Sequence, residues 1–148
     1  MMKSVFIPIL SITVFLMACD ARKSEIVFHK SHEPKRQNVP FSDAVETNDF
    51  LFLAGQIGKN HKTGKLVESG IKSETKQAIK NIQAVLQHHN LDLDNVVKCT
   101  VILKDINEFK QFNEVYTTYF TKKPARTTFA AAGLAANANI EIDVIAAK

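Results

Sequence analysis

Two alternating runs near the end of the chain decide the fold: Pro124-Ala125-Arg126-Thr127-Thr128-Phe129 and Ile140-Glu141-Ile142-Asp143-Val144. Alternation of polar and apolar residues is typical of β-strands, so both runs are predicted to lie in a sheet. If the chain folds back as a hairpin about Gly133, Arg126 falls opposite Glu141 on one sheet face. A guanidinium beside a carboxylate suits a cleft that binds an anionic substrate and activates water. The alternative is an ordinary cross-strand ion pair, which stabilises a sheet by a fraction of a kcal/mol.

The remaining periodicities predict one α+β domain. The patterns predict strands over 41–45, 50–55 and 96–103, a helix over about 71–89, and a second helix that opens at Asp105 and ends before Pro124. The order is β-β-α-β-α-β-β, in which two helices cover one face of a sheet. Residues 50–54 are apolar on both sides, so a central strand is expected there. The uncovered sheet face is then partly apolar, which predicts self-association.

The charge distribution argues against a nucleic-acid-binding domain. The net charge of the chain is +4, but residues 38–148 carry 13 Lys or Arg and 12 Asp or Glu, a balance of +1. The basic excess therefore lies in the first 37 residues. Nucleic-acid-binding domains concentrate basic charge on their folded surface, so we expect no nucleic acid partner.

The histidines and cysteines do not predict a metal site. No metal-ligand spacing with acidic or thiol partners is found among the five histidines, which are His29, His32, His61, His88 and His89. Cys99 lies on the apolar face of a predicted strand. A buried structural thiol is expected there rather than a nucleophile.

Residues 1–18 have the features of an export signal. Lys3 supplies a positive start, and the apolar run over 5–17 is too short for an ordinary membrane span but typical of a signal peptide. The run ends Leu16-Met17-Ala18-Cys19, which resembles the lipobox of bacterial lipoproteins. This resemblance implies cleavage before Cys19 and acylation of its thiol, which would anchor the protein on the periplasmic side of the inner or outer membrane. The alternative is a plain secretory signal in which the cysteine has no role.

Residues 19–37 are predicted to be a polar tether, and the folded domain is predicted to span residues 38–148. Within the tether, only Ile26-Val27-Phe28 has the composition of a short strand. The lysines and arginines of the tether would lie near anionic lipid headgroups, or they serve only to keep a linker soluble.

Five segments together resemble the RidA/YjgF family of reactive-intermediate deaminases. They are Pro40-Phe41-Ser42-Asp43-Ala44-Val45, Leu53-Ala54-Gly55-Gln56-Ile57-Gly58, Phe112-Asn113-Glu114-Val115-Tyr116, Pro124-Ala125-Arg126-Thr127-Thr128 and Ile140-Glu141-Ile142. Each segment alone is weak, but their order and spacing match the family from about residue 38 to residue 148. The resemblance implies a chorismate-mutase-like α+β fold, assembled as a homotrimer with a cleft between neighbouring subunits. It also implies hydrolysis of 2-enamines and 2-imines to 2-oxo acids and ammonia, without a metal or organic cofactor.

The residues suit that chemistry, and the resemblance assigns roles to them. Arg126 offers a planar fork that can bind a substrate carboxylate in bidentate fashion. Glu141 is the candidate general acid and base that delivers water to the C=N carbon. Asn113 matches a cleft asparagine of the family, and Gly55 and Thr128 match positions whose backbone lines the site.

Three positions depart from the common pattern of the family. Phe41 stands where a tyrosine is common, Ala54 where a serine is common, and Thr128 where a cysteine is common. Each departure removes or changes a polar group, which bears on substrate range and rate.

Three functions are open at this point. The first is an imine and enamine deaminase on a lipid anchor. The second is a protein that binds a small carboxylate in the same cleft without turnover. The predicted export favours this second function, because the familiar enzymes that produce imines are pyridoxal enzymes of the cytosol. The third is an endoribonuclease, which needs a cationic groove with stacking aromatic residues.

Overall fold

The computed structural model describes residues 25–68 and 70–148, so the predicted signal peptide and Cys19 lie outside the described residues. Nine strands and two α-helices lie within this part of the chain. In chain order they are β1 (Val27–His29), β2 (Ala44–Glu46), β3 (Phe50–Leu53), β4 (Gln56–Ile57), β5 (Lys59–Asn60), β6 (Lys65–Leu66), α1 (Gly70–His88), β7 (Val96–Leu103), α2 (Phe109–Tyr119), β8 (Ala125–Ala130) and β9 (Ile140–Ala147).

Seven of the described strands form one mixed sheet in the order β1-β2-β3-β9-β7-β8, with β4 also pairing with β9. β7 and β8 are parallel and are joined by α2, whereas the other pairs in this sheet are antiparallel. β5 and β6 form a small separate hairpin. Both helices contribute to the core on one face of the large sheet. The predicted α+β class, with a mixed sheet and two helices on one face, is confirmed.

α1 supplies the apolar stripe that covers the sheet. Its apolar residues recur at intervals of three and four, which places them on one side of the helix. α2 adds the buried side chains of Phe112, Tyr116 and Phe120 to the same core. Truncation of a fully buried phenylalanine such as Phe112 costs about 3–5 kcal/mol, so α2 is a main anchor of the fold. The buried apolar residues of α1 are Ile71, Ala78, Ile79, Ile82, Val85 and Leu86.

The predicted hairpin between the strands of Arg126 and Glu141 is wrong, because β7 lies between them. Arg126 of β8 is level with Cys99 of β7, whereas Glu141 of β9 is level with Ile102 of β7. Hairpin loops are usually short, about two to five residues. The longer segment 131–139 carries the chain across β7 instead. The alternating pattern therefore identified both strands correctly but not their neighbours.

The domain begins before residue 38, so the predicted tether over 19–37 extends too far. β1 pairs with β2 at the edge of the sheet, and a 3-10 turn follows at Pro34–Arg36. Arg36 Nη2 lies 3.0 Å from Oδ1 of the buried Asp43, which ties this segment to the domain. Within residues 25–68 and 70–148, no helix has the length and the apolar content that a membrane span requires.

The sheet face opposite the helices, here called the open face, carries large exposed apolar side chains. In β3 the residues alternate, so that Phe50 and Phe52 point to the open face while their neighbours are buried. Phe28 and Phe129 lie on the same face by register. These four phenylalanines are 68% (Phe28), 40% (Phe50), 41% (Phe52) and 44% (Phe129) exposed. Phe28 and Phe52 stand in one row across β2 with Phe50 beside Phe52, and an exposed apolar patch of this kind is typical of an interface.

Candidate active site

Glu141 lies on the open face of β9, next to a break in the neighbouring strand. β3 and β4 both pair with β9, and the chain between them interrupts the pairing at Ala54 and Gly55. A Cβ atom at Gly55 would overlap the Oε1 atom of Glu141. Only glycine therefore leaves room for the carboxylate in its present position, and the fold brings these two predicted site residues together.

The electrostatic surroundings of Glu141 make its carboxyl group easier to protonate. Burial raises the pKa of Glu141, and the charge of Asp143 on the same strand face raises that pKa further. A carboxyl group with a raised pKa exchanges its proton closer to neutral pH, which suits a general acid and base.

Glu141 and Gly55 line a cleft of about 440 Å³. The predicted residue Phe41 also lines this cleft, and Ala54 is adjacent in sequence to Gly55. Five polar residues outside the predicted site set contribute to its walls: Lys35, Arg36, Gln56, Lys59 and His61. The cleft is therefore more polar and more basic than the predicted set suggested.

A network of polar side chains supports the wall of this cleft. Arg36 pairs with Asp43 and donates a hydrogen bond from Nη1 to Gln56 Oε1 at 3.3 Å. His61 Nε2 lies 3.4 Å from Arg36 Nη1, and its Nδ1 atom lies 2.6 Å from Glu33 Oε1. No periodic pattern links these five residues in the sequence, so only the fold reveals the network.

Two buried polar residues of α1 fix the strands around Glu141. Glu74 accepts hydrogen bonds from the backbone N–H and the side-chain amide of Asn139, the residue before β9. Asn81 donates from Nδ2 to the carbonyl oxygens of Ile57 and Lys59, at 3.1 and 2.9 Å. Buried polar groups need such partners, and here the partners hold β4, β5 and the start of β9 in place.

Arg126 lies on the helix-covered face of the edge strand β8. Its Cζ atom is 4.5, 5.1 and 5.6 Å from the ring centroids of Tyr116, Phe112 and Phe109, respectively. Aromatic rings attract a guanidinium through their faces, so this cage holds the side chain. Nη1 also donates a hydrogen bond to Asn113 Oδ1 at 2.9 Å. Among the described residues no carboxylate forms a salt bridge with Arg126, which leaves donors for an anionic ligand.

Arg126 and Asn113 line a second cleft, of about 730 Å³, that also includes Lys123. Thr128 lies two residues farther along the same face of β8. Its Oγ1 atom is buried and has no hydrogen-bond partner among the described residues. Buried polar atoms normally have a partner, so this hydroxyl remains available to a neighbouring group.

The predicted site residues therefore fall into two half-sites of one chain. The Glu141 half-site consists of Phe41, Ala54, Gly55 and Glu141, and the Arg126 half-site consists of Asn113, Arg126 and Thr128. Directly paired residues of a sheet point to the same face, so the registers place the two half-sites on opposite faces. The predicted side-by-side contact between Arg126 and Glu141 is wrong within one chain, and so is the alternative of a cross-strand ion pair.

Cys99 is the buried structural cysteine that the strand pattern predicted. It is fully buried, and burial raises the pKa of its thiol to about 11. The Tyr116 hydroxyl donates a hydrogen bond to its sulfur at 3.3 Å. The thiol therefore stays protonated at neutral pH and lacks the thiolate character of a nucleophile.

Metal-ligating side chains converge at a place outside both half-sites. His29, Glu46 and His89 form the one group of three potential ligands found in the described part of the chain. The sequence spacing predicted no such group, because these residues are far apart in the chain.

Comparisons with known proteins match most of the chain to one family. Residues 30–148 match the family model described as endoribonuclease L-PSP. A RutC family protein from Aquifex aeolicus is 47% identical over 112 residues, which cover 74% of this chain and 89% of that protein. A protein from Mus musculus named 2-iminobutanoate/2-iminopropanoate deaminase is 40% identical over 110 residues, which cover 74% of this chain and 82% of that protein.

Solved structures show the same architecture. The yeast protein YEO7 superposes with a TM-score of 0.78 at 38% sequence identity, covering 84% of this chain and 99% of its own. The E. coli protein TdcF, solved with bound serine, superposes with a TM-score of 0.71 at 26% identity, covering 74% of this chain and 89% of its own.

Proposed function

Since this chain belongs to the RidA/YjgF family, which the endoribonuclease L-PSP model describes, we propose that it hydrolyses 2-imines and 2-enamines that carry a carboxylate. The products are a 2-oxo acid and ammonia, and the reaction needs no metal or organic cofactor. The mouse relative named as a deaminase of 2-iminobutanoate and 2-iminopropanoate supports this class of substrate.

The observation that carries the proposal is the separation of Arg126 from Glu141 within one chain. An arginine without a carboxylate partner can bind an anion, and a glutamate with a raised pKa can move protons, but imine hydrolysis needs both. We infer that three chains pack so that the β8 edge of one subunit, which carries Arg126, meets the open face of the next beside its Glu141 cleft. A head-to-tail contact of this kind closes into a ring when the rotation allows it. The exposed phenylalanines of the open face would become buried.

In the shared cleft Arg126 binds the substrate carboxylate. A guanidinium presents two parallel N–H groups to a carboxylate, which fixes the orientation of the substrate as well as its charge. The aromatic cage and the Asn113 hydrogen bond hold the guanidinium before the substrate arrives. Such preorganisation lowers the entropy that binding must offset.

Glu141 moves the protons of the reaction. It removes a proton from water as the water oxygen bonds to the imine carbon, and it delivers that proton to the nitrogen, which gains the electron pair of the C=N bond. The carbinolamine that results loses its hydroxyl proton to Glu141. The C–N bond then breaks, and the nitrogen accepts the proton and leaves as ammonia. An enamine enters the same path after a proton moves from its nitrogen to its carbon. A positioned acid and base typically accelerates such steps by about 10²–10⁴-fold.

A protein that binds small carboxylates without turnover is the second candidate. TdcF from E. coli was solved with bound serine, which has a carboxylate but no C=N bond. Phe41, which lines the Glu141 cleft, and Ala54, which precedes Gly55, are also apolar where tyrosine and serine are common in the family. Both features favour binding over catalysis, whereas the raised pKa of Glu141 favours catalysis.

An imine that is generated in the assay separates the two candidates. An amino-acid oxidase produces 2-iminopropanoate from alanine, and the release of ammonia and pyruvate is timed with and without this protein. We expect the wild type to exceed the spontaneous rate and Glu141→Gln to return to it. An unaccelerated reaction, together with pyruvate binding that Arg126→Ala abolishes, would establish the binding protein instead. Cleavage of a single-stranded RNA in a parallel assay would favour a nuclease.

We also propose that the protein is exported and lipid-anchored. The support is the short apolar run that ends in Leu16-Met17-Ala18-Cys19. On this proposal the trimer stands at a membrane surface on three lipid anchors, one from each subunit.

A further inference from the structure

Four histidines and one glutamate cluster at the edge of the sheet, and the cluster shares no residue with either half-site. His29 Nε2 lies 2.7 Å from Glu46 Oε2. One ligating atom each of His29, Glu46 and His89 all lie within 4.8 Å of one another. The rings of His32 and His88 stack beside them with centroids 5.0 Å apart. Imidazole is the commonest metal ligand in proteins.

Three separate elements supply the ligating atoms. His29 ends β1, and Glu46 ends the neighbouring β2, where the two residues are diagonal neighbours across an antiparallel pair. His89 follows the last residue of α1. The C-terminal end of a helix carries partial negative charge, which favours a cation nearby. The sheet and the helix end therefore converge on one small region.

We propose that His29, Glu46 and His89 bind a divalent transition-metal cation, with Zn²⁺ as the type ion. Two imidazole nitrogens and one carboxylate oxygen form a donor set that suits Zn²⁺. Ligands about 2.1 Å from a tetrahedral metal stand about 3.4 Å from one another. The 2.7 Å contact must open slightly, and the longer separations, up to 4.8 Å, must close. Small rotations of these partly buried side chains, of which His29 and Glu46 are 28% and 29% exposed, supply movements of this size.

The fourth coordination position belongs to water. A cleft of about 210 Å³ adjoins the cluster and is lined by Glu46, His88, His89, Asn90 and other residues. Three protein ligands and an open position are the arrangement of zinc sites that stay accessible to solvent.

Lys148 is the group that competes with the metal. Its Nζ atom lies 2.6 Å from Glu46 Oε1 and donates to the carbonyl oxygen of Thr47 at 3.0 Å. The ammonium therefore occupies one carboxylate oxygen and leaves Oε2, the oxygen nearest His29, for the metal. Its positive charge weakens cation binding, but the side chain is one-third exposed and can turn toward solvent.

A bound metal would clamp β1 to the rest of the domain. β1 is a three-residue edge strand that pairs with β2 alone. Coordination by His29 and His89 would tie this strand to the end of α1. The site would therefore stabilise the N-terminal segment, independently of imine hydrolysis.

Metal binding to the full chain tests the proposal. The protein is purified in mild detergent without a polyhistidine tag, stripped with EDTA, and titrated with Zn²⁺ by equilibrium dialysis and with Co²⁺ by visible absorption. We expect one equivalent per chain, with the visible bands of four-coordinate Co²⁺. Glu46→Gln and His89→Ala should each lower the affinity by about 100-fold or more, because loss of a ligand costs at least as much as loss of its supporting hydrogen bond.

His61→Ala is the matched control. His61 also hydrogen-bonds a glutamate, with Nδ1 2.6 Å from Glu33 Oε1, but it belongs to no group of three ligands in the described residues. This variant should keep wild-type metal affinity. The thermal midpoint of the wild type should rise on addition of Zn²⁺, while that of Glu46→Gln should not. Equal affinities in the wild type, the two cluster variants and the control would overturn the proposal, as would a wild type that binds no metal. Equal oligomer mass and a cooperative thermal transition in EDTA show that the variants are folded.

Discussion

Replacement of Gly55 by alanine should disable the Glu141 half-site while leaving the fold intact. The Cβ atom of alanine would meet the Glu141 carboxylate, at 2.9 Å from Cδ and 3.0 Å from Cγ, and still closer to Oε1. Gly55 is not among the described glycines with a positive φ angle, so alanine fits its backbone. The obstacle is therefore the glutamate side chain alone.

The size of the effect follows from the displacement. Ordinary carbon contacts lie at 3.4–4 Å, so the carboxyl group must swing away by about 1 Å or more. A misplacement of about 1 Å in a catalytic group can reduce the rate by about 10²-fold. We therefore expect Gly55→Ala to lower kcat by about two orders of magnitude. Because the obstructed atoms are the mobile end of a half-exposed side chain, the thermal midpoint should change little.

The assay compares two glycine-to-alanine variants in the hydrolysis of 2-iminopropanoate that is generated in situ. Gly133→Ala is the matched control, since a Cβ atom at Gly133 meets nothing within 4 Å and its φ angle is not positive. Rates are corrected for folded protein. A wild-type rate in Gly55→Ala would refute the placement of the Glu141 carboxylate, and an equal loss in Gly133→Ala would show that the effect is not local.

Three further expectations follow from the same residues. Arg126→Ala should raise KM for the imine, because removal of one partner of a buried charge pair costs about 2–5 kcal/mol; a saturation curve shows this, and an unchanged KM would remove Arg126 from the binding step. Glu141→Gln should raise the thermal midpoint at pH 7, because folding raises the pKa of Glu141 and its charged form therefore costs stability. The gain in thermal midpoint should vanish as the pH falls from the raised pKa of Glu141 in the folded protein to the ordinary glutamate pKa of about 4.3. A gain that persists below that pH would show that the charge of Glu141 is not its cause. Cys19→Ser should release the protein from membranes or leave an uncleaved precursor; fractionation and mass spectrometry test this, and an unchanged distribution and mass would contradict the lipid anchor.

Local patterns in the sequence predicted the elements well because they report periodicity along the chain. The eight-residue strand β7 has the predicted limits, and α1 begins at Gly70, one residue before the prediction. The same patterns contain no information about which strands are neighbours. Arg126 and Glu141 each lie in a strand, as the alternation predicted. However, β7 lies between these two strands, and the β7–α2–β8 crossover makes β8 parallel to β7.

The residues that support the site could not be found by periodicity. Arg36, His61 and Glu33 form their network across loops and a short hairpin, where no repeat period applies. Periodicity also could not predict that His29 and His89 are close together, because their proximity depends on the packing of β1 near the end of α1. In the described part of the predicted tether, the short strand that Ile26-Val27-Phe28 indicated is found at Val27–His29, but three residues could not show that this strand pairs with the sheet.

A mixture of two inactive variants tests directly whether the site is shared between subunits. Arg126→Ala and Glu141→Gln are coexpressed in equal amounts, and imine hydrolysis is measured on the purified mixed oligomer at a substrate concentration far below the raised KM of Arg126→Ala, where that variant shows no activity. In a closed ring with one cleft per interface, random assembly restores an intact Arg126 and Glu141 in about one quarter of the clefts. We therefore expect the mixture to recover about one quarter of the wild-type rate, while each variant alone stays inactive. A mixture as inactive as the separate variants, in oligomers shown to contain both chains, would contradict a cleft shared between subunits.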